Sequence, residues 1–204
     1  MSHEKDLYVF DFDDTIIRVS SKVLIYDKNT GEVLQEMSPS YFIEFYTLNP
    51  NERAEFVDSE KYTKLITFGI LREAVSKFKD NLKEHVWICT ARFSPDGPKQ
   101  ILEKEGVSGI PIAAVGKKEH AGNLEYNARR KRAFIYYLAK KVKPETVFFY
   151  DDSYLNLSEV GSLADHLGIK FVLINTVEHT ITVRRPSQNP GGKNTVSRIS
   201  SIPI

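Results

Sequence analysis

Five short apolar runs punctuate the chain, at residues 7–12, 86–89, 112–115, 147–150 and 171–174. Each is too short for a buried helix and is rich in β-branched or aromatic residues, which predicts five strands buried on both faces. Helical periodicity fills the intervals. Residues 67–82 place Ile70, Leu71, Ala74, Val75, Phe78 and Leu82 on one stripe, residues 94–105 form a shorter helix with Pro98 near its start, and residues 127–142 bring Phe134, Ile135 and Leu138 together. A last helix is expected over 154–167, ended by Gly168. Strands alternating with helices of this length predict an α/β fold, a Rossmann-like parallel sheet flanked by helices, because parallel strands need such crossovers.

Two stretches break the rhythm. Residues 19–64 read as a small insertion after the first strand, opening with a β-hairpin (22–26 and 32–36) around a turn that contains Gly31. A polar stretch follows, anchored by Tyr41, Phe42, Phe45, Tyr46 and Leu48. At the other end, residues 180–204 contain no acid and carry Arg184, Arg185, Lys193 and Arg198 around Asn189-Pro190-Gly191-Gly192, so either a late hairpin (180–183 against 195–199) or a tail fits. The expected organisation is a core at 1–18 and 65–178, an insertion at 19–64 and a basic C-terminal hairpin or tail at 179–204.

Composition narrows the class. With 204 residues, 41% hydrophobic and 27% charged, the chain suits an ordinary globular domain, and no run approaches a membrane span. One cysteine, Cys89, precludes an internal disulfide, and the first ten residues lack a signal peptide's apolar stretch, so a cytoplasmic setting is expected. The net charge of +1 conceals an asymmetry: residues 1–60 hold 5 basic against 13 acidic side chains, and residues 117–143 hold 9 against 2. A centre joining carboxylates to cations would look like this, and so would two separate solvated faces.

The candidate chemistry sits where the apolar runs end. The first terminates in Asp11-Phe12-Asp13-Asp14-Thr15, and the fourth in Asp151-Asp152-Ser153. Clustered carboxylates at the end of a buried strand resist ionisation unless a cation is supplied. Ligands of open parallel sheets gather at that edge, so the two clusters together suit Mg²⁺, which prefers hard oxygen donors. The second run ends in Thr90-Ala91-Arg92, offering a hydroxyl and turn amides to a phosphate. The basic run Arg129-Arg130-Lys131-Arg132 opens the helix before the Asp151 strand and offers a cation.

In these motifs the chain resembles the haloacid dehalogenase-like superfamily of phosphohydrolases. Asp11, Asp13 and Thr15 match its Asp-x-Asp-x-Thr motif, Thr90 its strand-end hydroxyl, and Asp151 with Asp152 its closing acid pair, in family order over about residues 6–176. The motif lysine falls best on Lys131, with Lys117 and Lys118 as competitors. The resemblance implies a Mg²⁺-dependent phosphatase in which Asp11 is the nucleophile, forming an aspartyl phosphate, and Asp13 the general acid and base. Mg²⁺ would be held by Asp11, the Asp13 carbonyl and Asp151, and phosphate by Thr90 and Lys131. It also implies that the insertion is a small cap.

Around these, Asp14 either supports the site or caps the next turn, Asp152 either meets the metal through water or caps a helix, and Asn156 either orients an acid or is surface. Arg92 contacts substrate or pairs with Asp96 or Glu103. Cys89 and Trp87 read as packing, and His3, His85, His120, His166 and His179 as non-catalytic.

The substrate class is a nucleotide or other small phosphomonoester, or alternatively a 3' or 5' nucleic-acid end. The 30–39 segment is similar to small phosphatase-like proteins of large bacteriophages, which would place the protein in a host cytoplasm. A non-catalytic binding protein on the same scaffold would call for decayed motifs, and a receiver-like phospho-acceptor has a different order of acids along the chain. No membrane partner is expected.

Overall fold

The computed structural model describes residues 5–19, 22–37, 42, 46–57, 62–186 and 195–198. All five apolar runs are strands of one sheet: β1 (Asp6–Phe10), β7 (Val86–Thr90), β8 (Ile112–Ala114), β9 (Thr146–Asp151) and β10 (Lys170–Asn175). They are mutually parallel in the spatial order β8-β7-β1-β9-β10. The chain moves outward from β1 in one direction, then returns past it and moves outward in the other. The strand order therefore reverses between β1 and β9, the place where an open α/β sheet leaves a crevice at its carboxyl edge.

Period-2 alternation sends successive β1 residues to opposite faces. Phe10 packs with Ile88, Tyr150 and Ile174 beneath α1 (Phe68–Lys77) and α3 (Asp96–Lys104), whereas Leu7 and Val9 pack with Val147, Phe149 and Phe171 beneath α4 (Leu124–Val142), α5 (Tyr154–Gly161) and α6 (Leu163–Leu167). The result is an α/β architecture with a mostly parallel central sheet covered by helices on both faces, compatible with a Rossmann-like fold. Among the described residues no helix is long and apolar enough to cross a membrane.

The helices depart from the expected spans at identifiable breaks. The 67–82 stripe ends at Lys77, with a short α2 (Leu82–His85) beyond a polar turn in which the Asn81 amide bonds back to Phe78. The 154–167 helix divides at Ser162, which caps both halves. The 127–142 helix starts three residues early because the Asn123 side chain accepts from the Tyr126 amide.

The insertion is a second, smaller β structure. The expected hairpin is present as β3 (Lys22–Asp27) and β4 (Val33–Met37), and β3 pairs on its other side with β5 (Glu52–Val57). A ribbon of β2 (Ile17–Val19) and β6 (Tyr62–Leu65) closes the neck of the insertion. Three of these strands were not anticipated: β5 alternates, but its Glu-Arg-Ala-Glu-Phe-Val sequence has too few apolar residues to stand out, and β2 and β6 are only three and four residues long. Phe42 and Phe56 meet edge to face at 5.5 Å, while Tyr41 and Phe45 lie outside the described residues. At the other end, β11 (Thr180–Arg184) and β12 (Thr195–Arg198) form the hairpin arrangement and extend the central sheet antiparallel. The 189–193 turn lies outside the described residues.

Candidate active site

β1 and β9 deliver their acids side by side. The ladder continues one step past Phe10, where the Asp11 amide donates to the Tyr150 carbonyl at 2.8 Å, so Asp11 and Asp151 leave the sheet together at the crevice. Both side chains are buried. The Asp151 Oδ1 accepts from the Ser153 amide and from Asn156 Nδ2, each at 2.9 Å. Asn156 is thus a buried orienting group one turn into α5, and Ser153, rather than Asp152, caps that helix.

Lys131 meets this pair from the opposite side. Its Nζ lies 2.8 Å from Asp11 Oδ1 and 2.8 Å from Asp151 Oδ2, and the residue is only 1% exposed. Helical spacing explains the selection: Ala128, Lys131, Ile135 and Leu138 form the inward stripe of α4, so Lys131 occupies a core position. Its basic neighbours turn outward, Arg129 pairing with Glu125 and Arg132 reaching Glu159 and Ser162, while Arg130 points to the Val115 carbonyl. Lys117 and Lys118 are exposed, with Lys117 paired to Glu119.

The charges do not balance around this lysine. Burial disfavours the Lys131 ammonium, but the Asp11 and Asp151 carboxylates outweigh it and raise Lys131 above the ordinary lysine range. Burial pushes the Asp11 carboxyl well up against the pull of Lys131, with Asp151 and Asp152 adding to the rise. Asp152 is pushed up to about 7, first by burial and then by Asp151. One ammonium, paired with Asp11 and Asp151, is too little cation for three ionised acids, so ionisation of Asp11 and Asp152 is resisted. Asp11, Asp151 and Asp152 each offer an oxygen within 4.8 Å of the others, a cluster that could hold a metal ion. The donor set is all hard oxygen, which fits a cation such as Mg²⁺ without singling it out.

Asp13 stands apart from that cluster. Its carboxylate receives a fork from Arg92, with Nη2 to Oδ1 at 2.7 Å and Nε to Oδ2 at 2.9 Å. Arg92 therefore pairs with Asp13 and not with the Asp96 or Glu103 that the sequence offered as alternatives. Thr90, fully buried at the end of β7, accepts the Arg92 amide on its hydroxyl oxygen at 3.2 Å. Behind this turn Gly116 approaches Ala91 so closely that a Cβ would fall 1.8 Å from the Ala91 oxygen. The β7 and β8 ends are locked together there by the Gly116 amide bonding the Arg92 carbonyl.

Asp14 adopts a left-handed backbone with φ 55, and its carboxylate pairs with Arg18 at 3.4 Å instead of capping the next turn. The Thr15 carbonyl accepts from Thr67 Oγ1, and the Thr15 hydroxyl is buried without a hydrogen-bond partner among the described residues. The turn after β10 closes one wall of the site, a contribution that no sequence motif announced. There the Asn175 side chain donates to the Asp152 carbonyl and the Thr176 amide to the Asp151 carbonyl.

Arg184 sits opposite Phe171, at the end of the sheet away from the acids. Cys89 is buried and its thiol is pushed up, mainly by burial.

Comparison with known proteins leaves the geometry as the guide: no family model, no curated protein and no solved structure matches this chain.

Proposed function

We propose that the protein is a divalent-cation-dependent phosphomonoester hydrolase of the haloacid dehalogenase-like type, working through an aspartyl phosphate on Asp11. The observation that carries this reading is the Lys131 ammonium held 2.8 Å from both Asp11 and Asp151 at the sheet's switch point. It fixes a carboxylate nucleophile beside an acid cluster that needs a further cation. A bound Mg²⁺ on Asp11, Asp151 and Asp152, with the Asp13 carbonyl as a further candidate ligand, would offset the repulsion between an anionic nucleophile and an anionic phosphate.

The chain's own groups divide the remaining work. With Oδ1 held by Lys131, Asp11 Oδ2 attacks phosphorus in line, and the ester P–O bond breaks as the Oδ2–P bond forms. Asp13 donates a proton to the departing oxygen and then takes one from the water that attacks phosphorus. The Oδ2–P bond breaks in that second displacement, releasing phosphate and restoring Asp11. The Thr90 hydroxyl and the Lys131 ammonium donate to the transferring oxygens, where negative charge accumulates. The insertion acts as a small cap whose Phe56 ring rests against Gly122, on the loop between β8 and α4. The substrate on this reading is a nucleotide or another small phosphomonoester.

The test is phosphate release from p-nitrophenyl phosphate, nucleoside monophosphates, sugar phosphates and 3'- or 5'-phosphorylated oligonucleotides, with Mg²⁺ or with EDTA. Release that needs Mg²⁺ and disappears in Asp11→Asn establishes the hydrolase. A preference for oligonucleotides would replace the small-molecule substrate with a nucleic-acid end. Folded protein that releases nothing from any of them would defeat the proposal.

A further inference from the structure

The hydrolase reading leaves one buried cation without a task. Arg92 is nearly inaccessible, its side chain 5% exposed, while the Asp13 carboxylate it holds is 31% exposed. The acid thus stands with its back against a guanidinium and its open side toward solvent. A bidentate pair of this kind restricts direction as well as distance, because a planar fork accepts the carboxylate in one plane only.

The seat beneath Arg92 is built from several independent pieces. Its guanidinium carbon lies 5.4 Å from the centre of the Phe12 ring, on the residue between the two acids. Nη1 packs against Gly97 near the start of α3, where a Cβ would come within 3.1 Å of it. The Arg92 backbone is pinned on both sides, its amide to Thr90 Oγ1 and its carbonyl to the Gly116 amide. A surface ion pair has no such mount.

We propose that Arg92 is a positioning residue that acts through Asp13, holding its carboxylate in the one orientation that reaches the leaving oxygen. This rests on the hydrolase reading above and adds a residue to it. Its signature lies in the leaving group. A nitrophenolate departs without a proton, whereas an alkoxide needs one, so loss of aim at Asp13 penalises formation of the aspartyl phosphate selectively on alkyl phosphates; hydrolysis of that intermediate, the step both substrates share, enters kcat but not kcat/KM.

The experiment compares kcat and KM of wild type, Arg92→Gln, Arg92→Lys, Asp13→Asn and the Arg92→Gln/Asp13→Asn double variant. The substrates are p-nitrophenyl phosphate and an alkyl phosphate such as glycerol phosphate, and far-ultraviolet circular dichroism verifies the fold. Arg92→Gln should lower kcat/KM on the alkyl phosphate by about 100-fold, the lower range for general acid catalysis, and on p-nitrophenyl phosphate by less than about 5-fold. Arg92→Lys should restore little, because an ammonium cannot fork. In the Asp13→Asn background the arginine substitution should cost almost nothing more, since both act at one step.

Equal losses of kcat/KM on the two substrates, or additive losses in the double variant, would each overturn the proposal while leaving the hydrolase intact. A wild type inactive on every substrate would overturn both together. If Arg92→Gln does not fold, Gly97→Ala displaces Nη1 and keeps the charge. It should reproduce the same substrate selectivity in weaker form, and equal effects on both substrates would again refute the role.

Discussion

The carboxyl edge of the central sheet and the inserted β3–β5 sheet use the same ionisable residue types to opposite effect. In the insertion, Lys22 pairs with Glu36 and Arg53 with Glu55, all of them about half exposed. At the sheet edge Lys131, Asp11 and Asp151 have almost no contact with solvent. Water screens the first set and leaves each pair worth about 0–1 kcal/mol. Burial makes the second set interdependent, so removing one member strands the others. The charge asymmetry of the chain thus matters through one lysine of a basic run, and the remaining cations decorate a helix face.

Breaking the buried side should give the largest effect. Lys131→Met leaves two buried carboxyls without their ammonium and should cost about 3–5 kcal/mol in urea unfolding at neutral pH. A loss below about 1 kcal/mol would mean that the edge behaves like the surface.

A second contrast comes from titration. Asp11 and Asp152 are raised when folded, so between the unfolded carboxyl range and their folded range the native state binds more protons than the unfolded chain. The stability these two carboxyls contribute is fully present below about pH 4, and the part carried by Asp152 is lost as pH rises through about 7. Thermal melts at pH 5 and 7.5 should show this fall, and either Mg²⁺ or Asp152→Asn should flatten it. A profile indifferent to both would count against the cation cluster.

The joint between the two regions should respond less. Phe56→Ala removes a half-buried ring from Gly122 and its partner Phe42, and should cost about 1–2 kcal/mol, with earlier proteolytic cleavage within the insertion than in the core. At the bottom of the scale, Glu36→Gln should change stability by no more than about 0.5 kcal/mol. A change above about 1 kcal/mol there would erase the distinction.

What could be read in advance follows the same division. Apolar strands buried on both faces advertise themselves, so β1, β7, β8, β9 and β10 were legible, together with the acids that end two of them. Lys131 was half legible: its spacing to Ile135 and Leu138 pointed inward, but three basic neighbours masked it until the helix showed which face each occupies. The Arg92–Asp13 fork was not legible, because its partners lie 79 residues apart and nearer acids competed on paper. Strand β5 and the neck ribbon escaped because half-exposed strands carry little apolar signal. Asn175 and Thr176 escaped because both meet backbone carbonyls, Asn175 through its side chain and Thr176 through its amide, and a carbonyl partner has no sequence signature.

The place of β1 in the middle of the sheet also sets a timetable. Among the described strands it leaves the ribosome before the others, and there it pairs with β7 and β9, which follow some 80 and 140 residues later. Contacts closed over such distances are slow to form. During synthesis Asp11 waits for its lysine and then for Asp151, and its strand waits with bare edges for neighbours on either side. The buried pairing of Lys131 with Asp11 and Asp151 is therefore among the last contacts to be assembled, and a chaperone that shields an aromatic strand early would act on the segment around Tyr8 and Phe10.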